Sequence, residues 1–174
     1  PAYLRNPRLS NSEISELDQS YRKGLRSLMR VDRFIGSASE LLRRKGEMEN
    51  TYFVFYTDNG AHFGQHRFGH GKLQPYKEDT NFPLIVRGPG IEGGAKSAQL
   101  VGNHDIAPTL ASMAGARVPS FVDGRSFLRL AQNPTNATWP RTAILSERET
   151  DLDPTHRWDL LRMTGKTYAR YDTG

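Results

Sequence analysis

Residues 51–72, TYFVFYTDNGAHFGQHRFGHGK, constrain this chain more than any other stretch. An apolar run from Tyr52 to Tyr56 stops at Asp58-Asn59-Gly60. A loop rich in glycine and histidine then closes on Lys72. An unbroken run of this kind predicts a strand over 52–57 buried on both faces, as in a parallel sheet between helices. Ligands collect beyond the carboxyl ends of such strands. Asp58, Asn59 and Lys72 then stand where chemistry is normally done.

The residue types fit that position. A carboxylate beside an amide oxygen suits a hard divalent cation such as Ca²⁺ or Mg²⁺, although such ions take more oxygen ligands than two. Gly60 lets the backbone pass close to an ion or ligand. The competing reading is a plain Asn-Gly hairpin turn; against it, Ala61 to Gly71 does not read as a partner strand. Lys72 follows a glycine-rich loop and can reach a sulfate or phosphate as a point charge. Its alternative is a solvated lysine.

His62, His66 and His70 recur every four residues, the spacing of a zinc-binding helix face. Gly64, Gly69 and Gly71 argue against that helix, which leaves one or two of these histidines lining a polar pocket. Glu78-Asp79 reads as loop hydrogen bonding or surface charge before it reads as an acid/base pair. His104 and His156 carry no pattern and read as structural or surface residues. Asn136-Ala137-Thr138 fits a glycosylation sequon, which matters only in a secreted eukaryotic protein.

Around this segment the pattern is α/β. Ser10 with Glu13, or Ser12 with Glu16, resembles a capping box. Ile14, Leu17, Tyr21, Leu25, Leu28, Ile35 and Leu42 then mark a long amphipathic helix that Gly24 and Gly36 weaken and could bend or break. Arg43, Arg44, Lys45 and Gly46 form its stop. Residues 83–87 predict a short strand, 105–114 a helix ended by Gly115, 125–131 a helical turn and 143–146 a strand. Leu160–Thr164 and Thr167–Tyr171 flank Gly165-Lys166 as a hairpin.

The 174 residues fit one domain. The absence of cysteine excludes disulfides, thiolate metal sites and a cysteine nucleophile within the chain. The net charge of +5 comes from basic residues dispersed among acids, which reads as a solvated surface rather than a nucleic-acid footprint. No apolar run approaches the roughly 20 residues of a membrane span. Pro1-Ala2-Tyr3 lacks the basic start and apolar core of a signal peptide. With no initiating Met, the chain reads as an excised fragment.

The ordered series TYFVFYTDNGAHFGQHR, GKLQPYKED, PLIVRGPGI, HDIAPTLASMAGA and VDGRSF resembles the second half of the catalytic domain of type I sulfatases. The flavour is that of the arylsulfatase and N-acetylglucosamine-6-sulfatase group, and the likeness covers about residues 15–131. It implies an α/β, alkaline-phosphatase-like mixed sheet flanked by helices, present here as a partial domain with a small antiparallel hairpin region at the C-terminal end. The division implied is 1–131 for the catalytic part and 132–174 for the start of a C-terminal subdomain.

The resemblance also implies roles. Asp58 and Asn59 match a pair of Ca²⁺ ligands, with Mg²⁺ as the alternative. Lys72 matches the lysine that holds the sulfate and helps stabilise the leaving oxygen. His62 matches a histidine near the substrate, with a catalytic or binding part, and His66 is a weaker match as a substrate-binding residue. Asp105, Pro108 and Thr109 match a structural helix start, and Asp123-Gly124 a structural turn. Asn81-Phe82 departs from the family's basic-then-aliphatic pair, a change read as local packing.

The larger departure is the nucleophile. In this family it is a formylglycine made within a Cys/Ser-x-Pro/Ala-x-Arg motif, expected upstream and absent here. The expected partners are therefore a sulfated small molecule or saccharide and the missing N-terminal half of the same domain, with neither nucleic acid nor membrane. A secreted, periplasmic or lysosomal location follows from the resemblance alone. The implied activity is hydrolysis of aryl or amino-sugar sulfate esters by the complete protein. The alternatives are a phosphodiesterase or phosphonate hydrolase of the alkaline phosphatase superfamily, or a non-catalytic anion-binding fragment.

Overall fold

The computed structural model describes residues 6–149 and 157–172. His156 lies outside them. In chain order the elements are α1 (Asn11–Arg44), β1 (Phe53–Tyr56), β2 (His62–Phe63), β3 (His70–Gly71), α2 (Lys77–Thr80), β4 (Leu84–Arg87), α3 (Ile106–Met113), α4 (Leu128–Gln132), β5 (Ala143–Arg148), β6 (Arg157–Met163) and β7 (Lys166–Asp172). Two compact units result: Pro1–Thr51 with Tyr56–Leu84, and Tyr52–Phe55 with Ile85–Gly174.

In the first unit, Ser10 starts α1, and Ser12 falls inside the helix. The Ser10 hydroxyl accepts from Glu13 N at 3.3 Å, and Ser10 N donates to Glu13 Oε2 at 2.7 Å. Hydrogen bonds from the Ser10 side chain and backbone hold the Glu13 carboxyl below its ordinary pKa. Ser10→Ala is expected to cost about 1 kcal/mol of stability, the usual loss for an N-cap hydroxyl. A urea titration that superimposes on the parent would remove this cap from the account.

α1 runs for 34 residues through Gly24 and Gly36 without the break that the sequence allowed. A helical glycine costs only about 1 kcal/mol relative to alanine. The cap at one end and Arg43 and Arg44 in the last turn favour continuation. Gly46, at φ +75°, ends the helix in the left-handed conformation. The amphipathic pattern is present, but among the described residues its apolar stripe is mostly uncovered. Leu17 is buried, whereas Ile14, Leu25 and Leu28 are 48%, 46% and 50% exposed.

The loop after β1 contains a small antiparallel ladder. β2 pairs with β3 in the register His62↔Gly71 and Phe63↔His70. Residues 61–71 supply no partner for β1, as the sequence reading had it; β2 and β3 pair only with each other. A strand of two residues is too short for alternation to register in sequence. A 3₁₀ turn over Gln65–Arg67 joins the two strands. Tyr21 of α1 meets Phe63 edge to face at 5.5 Å between centroids, which ties the ladder to the helix.

In the second unit, β1 and β4 form a two-stranded sheet. Burial of β1 on both faces is not observed: its residues are partly exposed, and Tyr56 is 43% exposed. Among the described strands β1 has only β4 beside it. Tyr52 Oη donates to Pro89 O at 3.2 Å, and the Tyr52 ring fills the space where a Cβ on Gly88 would stand.

The core of the second unit contains Ile106, Phe127, Leu130, Trp158 and Leu160. β5, β6 and β7 form an antiparallel sheet in that order. The hairpin turn is Thr164-Gly165, one residue earlier than the sequence reading. Met163 pairs with Lys166, and Gly165 takes φ +74°. Glycine supplies the left-handed conformation there, which frees Lys166 to join the ladder.

Candidate functional site

Asp58, Asn59 and Gly60 form a corner in the first unit, just after the end of β1. Three hydrogen bonds shape it. Thr57 Oγ1 donates to Asn59 O at 2.7 Å, Asn59 Nδ2 donates to Gly60 O at 2.7 Å, and Gly60 N donates to Asp79 O at 2.8 Å. A Cβ on Gly60 would stand 2.0 Å from Glu78 O. A close approach that requires glycine is therefore to the backbone of Glu78, at the first turn of α2.

Lys72 Nζ donates to Asn59 Oδ1 at 2.9 Å. The Asn59 amide thus presents its donor side to a carbonyl and its acceptor side to an ammonium. Rotating it by half a turn would set like groups against each other. The ammonium thus meets the Asn59 oxygen from 13 residues further along the chain, and Asp58 and Lys72 are both exposed.

The histidines separate in role. His62 sits in β2 and is buried, with its Nδ1 at 2.7 and 2.8 Å from the two carboxylate oxygens of Asp79. A Cβ on Gly71 would approach His62 Nε2 to 2.9 Å, so glycine is needed opposite the ring. His66 sits in the 3₁₀ turn, with its ring stacked on Tyr76 at 3.9 Å between centroids and Nε2 at 3.2 Å from Glu78 Oε2. His70 stacks on Phe63 at 4.4 Å. No helix carries the three. Among the described residues no group of three or more His, Cys, Asp or Glu could by itself hold a metal.

Asp79 and Glu78 were undervalued in sequence. Asp79 is buried, and its carboxylate also accepts from Gln74 N at 2.7 Å. No periodicity links His62 to an acid 17 residues later. Partial burial pushes the Glu78 carboxyl up in pKa. Its own backbone N–H, the His66 hydrogen bond and the nearby charges of His66 and Lys77 outweigh this and leave it below the ordinary value.

The backbone around Lys72 is held in uncommon conformations. His66, Arg67 and Leu73 have φ of +55°, +61° and +90°, and they are the non-glycine residues with positive φ among those described. Such conformations persist only where surrounding contacts over-determine them. Here Arg67 Nη1 donates to Asn6 O at 3.0 Å, and Gln74 N is anchored on Asp79 just after Leu73.

Away from this corner, Asp105 organises the second unit. Its fully buried carboxylate pairs with both terminal nitrogens of Arg141 and accepts from Arg125 N at 2.7 Å and Gly102 N at 2.9 Å. Thr109 Oγ1 donates to Asp105 O at 2.6 Å and accepts from Phe127 N at 3.0 Å. These are structural duties at the start of α3, as the sequence reading assigned. Gly124 is required there too, since a Cβ would lie 1.8 Å from His104 O.

A family model described as Sulfatase matches residues 3–116. The chain belongs to the sulfatase family. It is 38% identical over 152 residues to an N-acetylglucosamine-6-sulfatase of Bos taurus, an alignment covering 84% of this chain and 27% of that protein. It is 40% identical over 121 residues to an arylsulfatase of Volvox carteri, covering 67% of this chain and 19% of the relative. The chain thus spans well under two thirds of the length of these sulfatases.

Among solved structures, the chain is similar to one in complex with its substrate D-glucosamine-2-N,6-O-disulfate, with a TM-score of 0.74 and 31% identity, covering 83% of this chain and 30% of that one. It also resembles a phosphonate monoester hydrolase from Silicibacter pomeroyi, with a TM-score of 0.68 and 26% identity over 82% of this chain and 31% of the other. The fold is therefore α/β and alkaline-phosphatase-like. The sulfatase architecture is represented here by helices, small sheets and the antiparallel β5–β6–β7 unit.

Proposed function

We propose that this chain is the C-terminal part of a sulfatase catalytic domain over residues 1–131, followed from residue 132 by the start of a C-terminal subdomain. Its complete protein hydrolyses sulfate esters of aryl alcohols or amino sugars. The observation that carries the reading is the 2.9 Å contact of Lys72 Nζ with Asn59 Oδ1. It joins a residue suited to holding an anion with one suited to a hard cation, within a chain of the sulfatase family. The amino-sugar reading is further supported by a relative named N-acetylglucosamine-6-sulfatase and by a solved neighbour whose substrate is a sulfated glucosamine.

Asp58 and Asn59 would supply oxygen ligands to Ca²⁺, or to Mg²⁺ as the alternative. The donor set fits: both are oxygen donors, as hard cations prefer. The Asn59 amide is already oriented, because its Nδ2 is committed to Gly60 O. Two residues do not complete such a site, so the remaining ligands belong to other parts of the protein. The cation, when bound, supplies positive charge that offsets charge on the sulfate oxygens. Lys72 then holds a sulfate oxygen and favours the transition state as charge builds on the leaving oxygen. His62 and His66 are assigned to the substrate side of the loop, where His62 also holds Asp79 and His66 stacks on Tyr76.

The formylglycine nucleophile belongs upstream of this chain, whose sequence contains no motif for it. The missing half of the domain is the expected cover for α1. A stripe that leaves Tyr21, Leu25 and Leu28 51%, 46% and 50% exposed is larger than scattered surface apolar residues would make.

The test is turnover by the full-length protein. Hydrolysis of para-nitrophenyl sulfate should exceed that of a phenyl phosphonate ester and should fall on treatment with a calcium chelator. A preference for the phosphonate would move the assignment to the phosphonate hydrolases. No turnover of either ester would leave the non-catalytic anion-binding reading.

A further inference from the structure

Asp79 lies in α2, outside every residue assigned to metal or substrate, yet it meets each segment that carries one. Its carboxylate is 2% exposed and pairs with the His62 imidazole, itself 7% exposed. Oδ2 also accepts from Gln74 N, two residues beyond Lys72, at 2.7 Å. Its backbone carbonyl accepts from Gly60 N at 2.8 Å, directly after Asp58-Asn59. One residue therefore ties down the metal-side corner, the histidine strand and the lysine segment.

We propose that Asp79 is a positioning residue that sets the distance between the Asp58-Asn59 corner and Lys72. This deepens the sulfatase reading and rests on it. His62 Nδ1 lies within hydrogen-bond distance of both carboxylate oxygens, and Gln74 N–H donates to Oδ2. A side chain without oxygens removes the acceptor at that point. A buried donor left without an acceptor loses its hydrogen bond and its solvation together. The uncommon backbone at Leu73, φ +90°, lies between Lys72 and the Gln74 anchor. Releasing that anchor lets Leu73 relax toward ordinary φ and carries Lys72 away from Asn59.

The experiment uses the full-length protein with two variants, Asp79→Ala and Asp79→Asn. Kinetics with para-nitrophenyl sulfate are combined with hydrogen–deuterium exchange followed by mass spectrometry. For Asp79→Ala the proposal expects exchange to rise at least about tenfold in peptides holding Gly60 and Gln74, with the α3 peptide unchanged. It also expects kcat to drop by about 10²-fold, the scale of an ångström-sized misplacement, and the Ca²⁺ concentration for half-maximal activity to rise. Asp79→Asn can keep the Gln74 acceptor on its amide oxygen, so it should show the same exchange pattern with a smaller rise and a smaller loss, and it decides the matter if Asp79→Ala does not fold. Unchanged exchange at Gly60 and Gln74 overturns the proposal. Faster exchange with kcat and Ca²⁺ dependence within twofold of the parent also overturns it, because Asp79 would then be structural alone. A parent without sulfatase activity overturns the functional reading instead, and the exchange arm still decides whether Asp79 pins the two segments.

Discussion

Lys72→Ala in the full-length protein is expected to lower kcat for aryl sulfate hydrolysis by about 10²–10³-fold, the usual cost of removing one preorganised group that meets developing charge. The ammonium is already placed, 2.9 Å from Asn59 Oδ1. Little reorganisation is then needed when sulfate charge arrives. Lys72→Arg should recover only part of the loss, because a planar fork on a longer stem does not reproduce a compact point charge. Asp58→Ala should also abolish turnover, but through the metal side: raising Ca²⁺ should restore part of the activity of a weakened site in Asp58→Asn and none in Lys72→Ala. Either alanine variant turning over within threefold of the parent removes this corner from the active site.

Asp105→Ala is expected to destabilise the protein by about 3–5 kcal/mol, the cost of leaving one member of a buried ion pair alone. Arg141 would be left with its side chain 10% exposed and no carboxylate, and the backbone N–H groups of Gly102 and Arg125 would lose their acceptor. The native pair has a pH signature. Burial alone would push the Asp105 carboxyl up, but hydrogen bonds from Arg141, Arg125 N and Gly102 N, with the charge of Arg141, hold it below its ordinary value. A carboxyl lowered in the folded state contributes fully above the unfolded pKa of about 3.9 and loses that contribution as pH falls through the folded value. Urea titrations of parent and Asp105→Asn should therefore differ most near neutral pH and converge under acid. A constant difference down to pH well below the unfolded pKa would mean that the charge on Asp105 is not what matters.

The two variants probe different layers of legibility. Lys72 was readable in outline: a lysine after a glycine-rich loop, placed by a series of motifs in one order. Its partner was not readable, because hydrogen bonding across 13 residues of irregular loop leaves no period in the sequence. Asp105 was readable as a helix start, since Asp before an apolar helix is a local signal. Arg141, 36 residues later in a polar proline-containing stretch, gave no sign that it closes the pair.

The sequence by itself determined the elements whose causes are local. The Ser10–Glu13 cap, the long 3.6-residue period of α1, the apolar run of β1 and the glycine-marked hairpin near Gly165 each follow from neighbours a few residues apart. The same local record, taken as an ordered set of motifs, was enough to point to the sulfatase family. Tertiary structure alone decided three things: that Gly60 exists for the backbone of Glu78, that His62 is a buried partner of Asp79, and that β1 stays partly exposed beside β4. The physical reason is common to them. Burial, ion pairing and close backbone approach are set by which distant segments meet, and a sequence shows periodicity along the chain but not proximity across it.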